Sequence, residues 1–143
     1  MAKEGLRVEK EDVRENTKNE FGEDLKEQIT ILKQYWKNLQ MRNVRCGIAK
    51  NPNIPRKILE RLANDYKCDV RCGVAKNSNT PETILERLAN NYYCDVRCEV
   101  AKNPNTPETI LKKLADDDEG FVRCAVAKNL NIPGKILERL ENN

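Results

Sequence analysis

Three families of side chains recur through this chain at a fixed interval, and they are the ones whose types could support chemistry. Cys46, Cys72, Cys98 and Cys124 stand 26 residues apart, as do Arg45, Arg71, Arg97 and Arg123, and Lys50, Lys76, Lys102 and Lys128. Cys68 and Cys94 add two C-x-x-x-C pairs, Cys68 with Cys72 and Cys94 with Cys98. Such pairs could close as local disulfides or give four thiolates to one zinc or iron ion, which requires tetrahedral sulfurs about 2.3 Å from the metal. The stacking of equivalent segments works against that geometry, because it sets them roughly 10 Å apart. The same spacing keeps the periodic cysteines from cross-linking, since a disulfide needs Cα atoms within about 7 Å. Reduced thiols used as small apolar filler are the favoured reading. A metal-linked or redox-linked protein is the alternative.

The arginines fall between apolar Val and Ala on a helical wheel, which points to structural use. An Arg–Asp network with Asp69 and Asp95, two residues ahead of Arg71 and Arg97, or bonds to turn carbonyls would satisfy them. The lysine row could track phosphates along a nucleic acid. Glu60, Glu86, Glu99 and Glu138 dilute its field, and aromatics to stack bases are scarce at 5% of the chain. Nucleic acid is therefore a further alternative and not the favoured partner. Asp116-Asp117-Asp118-Glu119-Gly120 fails the spacing of a calcium loop and reads as a solvated loop at a helix end.

What the chain lacks is as informative. It contains no histidine and a single serine, Ser78, so Ser-His-Asp and Cys-His machinery, imidazole ligands and histidine acid–base catalysis are excluded. It has no phosphate-binding glycine loop. No catalytic residue, cofactor or enzymatic activity is expected. No apolar run reaches the roughly 20 residues of a membrane-spanning helix, and the charged start MAKEGLRVEKEDVRENTKNEF does not read as a secretory signal. The expectation is a cytoplasmic protein with no membrane contact.

The elements that hold these residues follow from the repeat. Four segments align without gaps: VRCGIAKNPNIPRKILERLANDYKCD from Val44, VRCGVAKNSNTPETILERLANNYYCD from Val70, VRCEVAKNPNTPETILKKLADDDEGF from Val96, and VRCAVAKNLNIPGKILERLENN from Val122. In the second copy Thr80-Pro81-Glu82 reads as an N-cap hydroxyl, a first-turn proline and a first-turn acid. The helix after it places Ile84, Leu85, Leu88 and Ala89 on one arc and Glu82, Thr83, Glu86 and Arg87 on the other. The preceding segment DVRCGVAKN is about two turns long and suits either a short α-helix or a 3₁₀ turn. The Asn-rich turn between them offers its side chains to local backbone groups. One copy cannot fold alone, because ordering about 26 residues at 1–2 kcal/mol each outweighs the burial of about five aliphatic side chains. Copies must stack, as in a solenoid.

Residues 1–22 carry no apolar period and read as a charged flexible arm. Residues 23–43 read as a capping helix whose face is Leu25, Ile29, Leu32, Trp36 and Leu39, with Trp36 in the cap core. Residues 44–143 are the array.

The recurrence of VR, VA, Asn-Pro and Thr-Pro, as in Val96, Arg97, Val100, Ala101, Asn103, Pro104, Thr106 and Pro107, resembles the leucine-rich repeat variant family. The resemblance covers residues 44–143. It implies an all-α, right-handed solenoid of about four two-helix repeats in which α- and 3₁₀-helices alternate. The family's repeat is nearer 24 residues, so DYKCD and NYYCD lengthen one loop; Leu130 replaces the turn proline and Gly134 follows Pro133. The family's founding type carries an iron–sulfur module ahead of the repeats, but the first cysteine here is Cys46, so that function is not carried over.

The function expected is a non-catalytic scaffold that binds an as yet undefined protein through its exposed variable positions. These are the sets Gly47/Gly73/Glu99/Ala125 and Arg56/Glu82/Glu108/Gly134 and the loops 65–68, 91–94 and 117–120. Tyr66, Tyr92, Tyr93, Glu82, Glu99, Glu108 and the four lysines are the candidate contacts.

Overall fold

The computed structural model describes residues 22–142. Among them are eight α-helices and no strand, so the described residues are all-α. We label them α1 (Gly22–Lys50), α2 (Arg56–Leu62), α3 (Cys68–Lys76), α4 (Glu82–Leu88), α5 (Cys94–Lys102), α6 (Glu108–Leu114), α7 (Gly120–Ala127) and α8 (Gly134–Glu141). None is long and apolar enough to cross a membrane. The residues divide into two units, Met1–Met41 and Arg42–Asn143.

Of the first unit, only the N-terminal part of α1 is described; the charged arm expected over residues 1–22 lies outside the described residues except for Gly22. The expected capping helix does not stop at residue 43, because α1 is continuous to Lys50 and absorbs the short segment of the first copy. The later copies break the helix at Asp65, Asn91 and Asp117, whose side-chain oxygens accept the N–H two residues on. Leu39-Gln40-Met41 occupies the corresponding place in α1, and all three are strong helix formers. Nor is Trp36 a buried cap core. It is 51% exposed and Leu32 is similar; of the expected set only Ile29 is buried.

In the second unit, each copy follows one local plan. Pro55, Pro81, Pro107 and Pro133 hold extended backbone immediately before α2, α4, α6 and α8. Lacking an N–H, proline leaves no donor stranded there. The expected Thr80 N-cap is not formed. Thr80 is buried, and its hydroxyl donates backwards to the Val74 carbonyl at 2.6 Å, as Thr106 does to Val100 at 2.5 Å. These threonines therefore close the C-terminal turn of the short helix before them. The arc Ile84, Leu85, Leu88 and Ala89 is buried, and Glu82, Thr83, Glu86 and Arg87 are exposed, as the wheel requires.

The short segments are α-helices of eight or nine residues, not the 3₁₀ turns that the family resemblance favoured. Their α geometry puts Val70, Val74 and Ala75 together on the buried side, where α3 packs on α5 and α5 on α7. A buried asparagine sews each contact. Asn77 donates through Nδ2 to the carbonyls of Ala49 (2.8 Å) and Asn51 (2.9 Å). Asn103 does the same to Ala75 and Asn77, and Asn129 to Ala101 and Asn103. Each Oδ1 accepts the N–H two residues on. A buried amide so engaged avoids the 1–3 kcal/mol cost of an unpaired polar group.

Candidate interaction surface

The loops that precede α3, α5 and α7 carry most of the residues singled out in the sequence. Arginines from the short helices fix them. Arg45 Nε donates to Asp65 Oδ2 at 2.6 Å, and its guanidinium lies 5.3 Å from the centroid of the Tyr66 ring. Arg97 makes the fullest set: Nε and Nη2 to the two Asp117 oxygens at 2.7 and 2.9 Å, and Nη1 to the carbonyls of Asn91 and Tyr92. Arg123 reaches the carbonyls of Asp117 and Asp118, and Arg71 that of Asp65 at 2.5 Å. The arginines are thus structural, as expected, but their carboxylate partners are not. Asp69 and Asp95 lie in the first turns of α3 and α5 and are exposed; the nearest cation to Asp69 is Arg42, at 3.6 Å. The partners are Asp65 and Asp117, each 20 residues after its arginine, in the next loop.

The bond to the carboxylate raises Arg45 and Arg97 above the ordinary arginine value. Burial alone would raise Asp117, but the Arg97 guanidinium and the Glu119 N–H outweigh it and hold the carboxyl below 3.8. Asp117 is thereby committed to Arg97, and Asp116 lies 3.1 Å from Arg139, so the first two acids of the run are tied into the fold.

Above the arginines lie aromatic rings. Tyr92 is 89% exposed and meets Tyr93 edge-on at 5.4 Å; Tyr93 covers the Arg71 guanidinium at 5.3 Å. Tyr66 is exposed in the loop before, and Phe121, 79% exposed, stands at the start of α7. Phe121 was missed in the sequence because its counterparts one and two periods earlier are Asp95 and Asp69. Its signal is the substitution of an acid by an aromatic at an exposed repeat position.

The other candidates separate into three groups. Lys50, Lys76, Lys102 and Lys128 are all exposed, as are Glu82 and Glu108. Glu99 is not a free contact, because its side chain is 16% exposed and sits between Lys102 (3.2 Å) and Lys76 (3.9 Å), neutralising the middle of the lysine row. Gly73 and Ala125, expected to be exposed, are buried. A Cβ on Gly73 would stand 3.0 Å from that of Ala49, so this joint has no room for a variable side chain.

All six cysteines are free thiols. Among the described residues, no three of Cys, Asp and Glu converge as a metal site, so Cys68, Cys72, Cys94 and Cys98 are not brought to one point. Burial raises Cys46 and Cys98 and pushes Cys72 up to about 11, which suppresses the reactive thiolate. Comparison of the chain with family models, with curated proteins and with solved structures gives no match in any of the three.

Proposed function

We propose that this protein is a non-catalytic scaffold that binds another protein through the aromatic ridge Tyr66, Tyr92, Tyr93 and Phe121. In this reading residues 44–143 are a right-handed helical solenoid of about four repeats of the leucine-rich repeat variant kind. The support for stacking is the asparagine bond set, which recurs with the sequence period. The observation that carries the function is the exposure of four aromatic rings, three on the loops before α3 and α5 and Phe121 at the start of α7, beside loops whose carbonyls arginines hold. Tyrosines pre-ordered over guanidinium groups present large contact area at little entropic cost, and such residues dominate binding energy at protein interfaces. The proposal places the chain in the reducing cytoplasm, where exposed Cys124 stays a thiol.

Replacing Tyr66 and Tyr92 by Ser tests the reading. Partner capture from a native lysate falls at least tenfold while the melting temperature is unchanged, since both rings are exposed. Unchanged capture, or a salt-sensitive shift of RNA or DNA that disappears with Lys76→Ser and Lys102→Ser, overturns it in favour of phosphate binding.

A further inference from the structure

We propose that Cys68 with Cys72, and Cys94 with Cys98, form two separate two-thiolate sites for a soft monovalent cation, Cu(I). Helix type decides how the two sulfurs of a pair stand. Cys68 and Cys94 are the first residues of α3 and α5, and Cys72 and Cys98 follow four residues on within the same helices. In an α-helix a residue and its fourth neighbour differ by about 40° around the axis; in a 3₁₀ turn the difference is about 120°. The α geometry therefore sets both sulfurs of a pair on one helix face, with Cβ atoms about 5–6 Å apart. That gap is too wide for a disulfide, whose Cβ atoms stand about 3.5–4.5 Å apart, and all four thiols are free. It suits a sulfur–metal–sulfur bridge, because two metal–thiolate bonds of about 2.3 Å laid end to end span about 4.6 Å.

The surroundings select the ion. Among the described residues no third Cys, Asp or Glu converges with either pair. Zinc and iron–sulfur centres, which take four protein ligands in such settings, are not served. Soft thiolates favour Cu(I), and this closed-shell ion accepts two sulfurs in line. Both pairs are half-buried against the apolar core, a setting that disfavours a hard, strongly hydrated cation. Burial, and next the neighbouring Cys68 sulfur, push Cys72 up to about 11, so the empty site is held protonated. The Cys68 thiol meanwhile donates to Asp69 Oδ1 at 3.8 Å. Loading one Cu(I) forms two sulfur–copper bonds, breaks two S–H bonds and releases both protons to solvent, as thiolate ligation requires. Lys76 and Lys102 stand one turn further along the same helix faces, where their ammonium groups oppose the negative charge of the loaded site.

The other two cysteines supply an internal control. Cys46 and Cys124 belong to the same periodic ladder as Cys72 and Cys98, but the residues four places before them are Arg42 and Gly120. They have no thiol one turn away on their own helix. Two ions per chain is therefore the expected load, and it is independent of the aromatic ridge.

Anaerobic titration of the fully reduced chain with Cu(I) held by the chromophoric chelator bathocuproine disulfonate tests the proposal. The wild type withdraws two ions per chain. Cys68→Ser lowers the load to one, Cys68→Ser with Cys94→Ser abolishes it, and Cys46→Ser with Cys124→Ser leaves it at two. Cys72→Ser with Cys98→Ser removes the opposite half of each pair and also abolishes it. Circular dichroism verifies that each variant is folded, and the wild-type helix signal is unchanged by loading, since the α-helix already sets the sulfurs. Failure to withdraw copper overturns the proposal. So does a load of one ion that either pair alone destroys, because all four sulfurs would then share it. Loss of copper in Cys46→Ser with Cys124→Ser overturns it by moving the ion to the periodic ladder, and retention of Zn(II) at the same stoichiometry overturns it by demanding more ligands than a pair supplies.

Discussion

Arg97 and Arg71 occupy the same place in successive copies, yet one closes a complete clamp and the other half of one. Arg97 has both oxygens of Asp117 in the following loop, whereas 20 residues after Arg71 stands Asn91. The single oxygen of Asn91 already accepts the Tyr93 N–H, and its other arm is itself a donor. Arg71 Nε is consequently buried without a partner, and only the Asp65 carbonyl and the face of Tyr93 remain to hold the guanidinium. One atom, oxygen or nitrogen, separates a satisfied joint from one with a buried, unpartnered N–H. The middle copy gives up a charge-assisted pair where its tyrosines are most exposed.

The largest contrast should come from deleting the arginines. Arg97→Ala leaves Asp117, whose side chain is 8% exposed, as an uncompensated charge, and costs about 3 kcal/mol in urea unfolding. Arg71→Ala removes an already incomplete set and costs about 1 kcal/mol. Equal losses would break the comparison. A smaller effect with the opposite sign sharpens it: Asn91→Asp supplies the missing acceptor and raises stability by about 1 kcal/mol. That gain disappears in an Arg71→Ala background, as a double-mutant cycle will read.

The smallest effect is one of pH. Asp117 is depressed in the folded chain, so its contribution is fully present above the unfolded value near 3.8 and is lost as the pH falls through the folded value. The stability difference between the wild type and Asp117→Asn therefore shrinks in acid. The corresponding difference between Asn91→Ala and the wild type is flat over the same range, because an amide does not titrate.

Much of this was legible in the sequence. The apolar arcs, the structural use of the arginines and the exposed tyrosines and lysines follow from period and wheel alone. What was not legible depends on contacts one full copy away. Asp69 and Asp95 look like the arginine partners because they are close in sequence, but α-helix places them on the outside of the first turn, and Asp65 and Asp117 arrive from the next loop. Glu99 reads as a variable surface residue until its two lysines are placed beside it. The asparagines at 77, 103 and 129 read as local turn residues, and locally they are. Their recurrence while the next residue varies from Ser to Pro to Leu is the signal that their amides also have distant work. The continuity of α1 was readable from Leu39-Gln40-Met41, where the later copies have an Asx turn.

Asn77 and Asn103 each give with the side chain and receive with the backbone: Asn77 reaches back to Asn51, Asn103 to Asn77, and Asn129 to Asn103. Amide dipoles are thereby strung in one direction, each polarising the next. A segment that loosens uncovers carbonyls in the segment before it and strips an acceptor from the one after. Thermal unravelling confined to one module is thus penalised on both sides, and the relay binds separate pieces into a single melting unit.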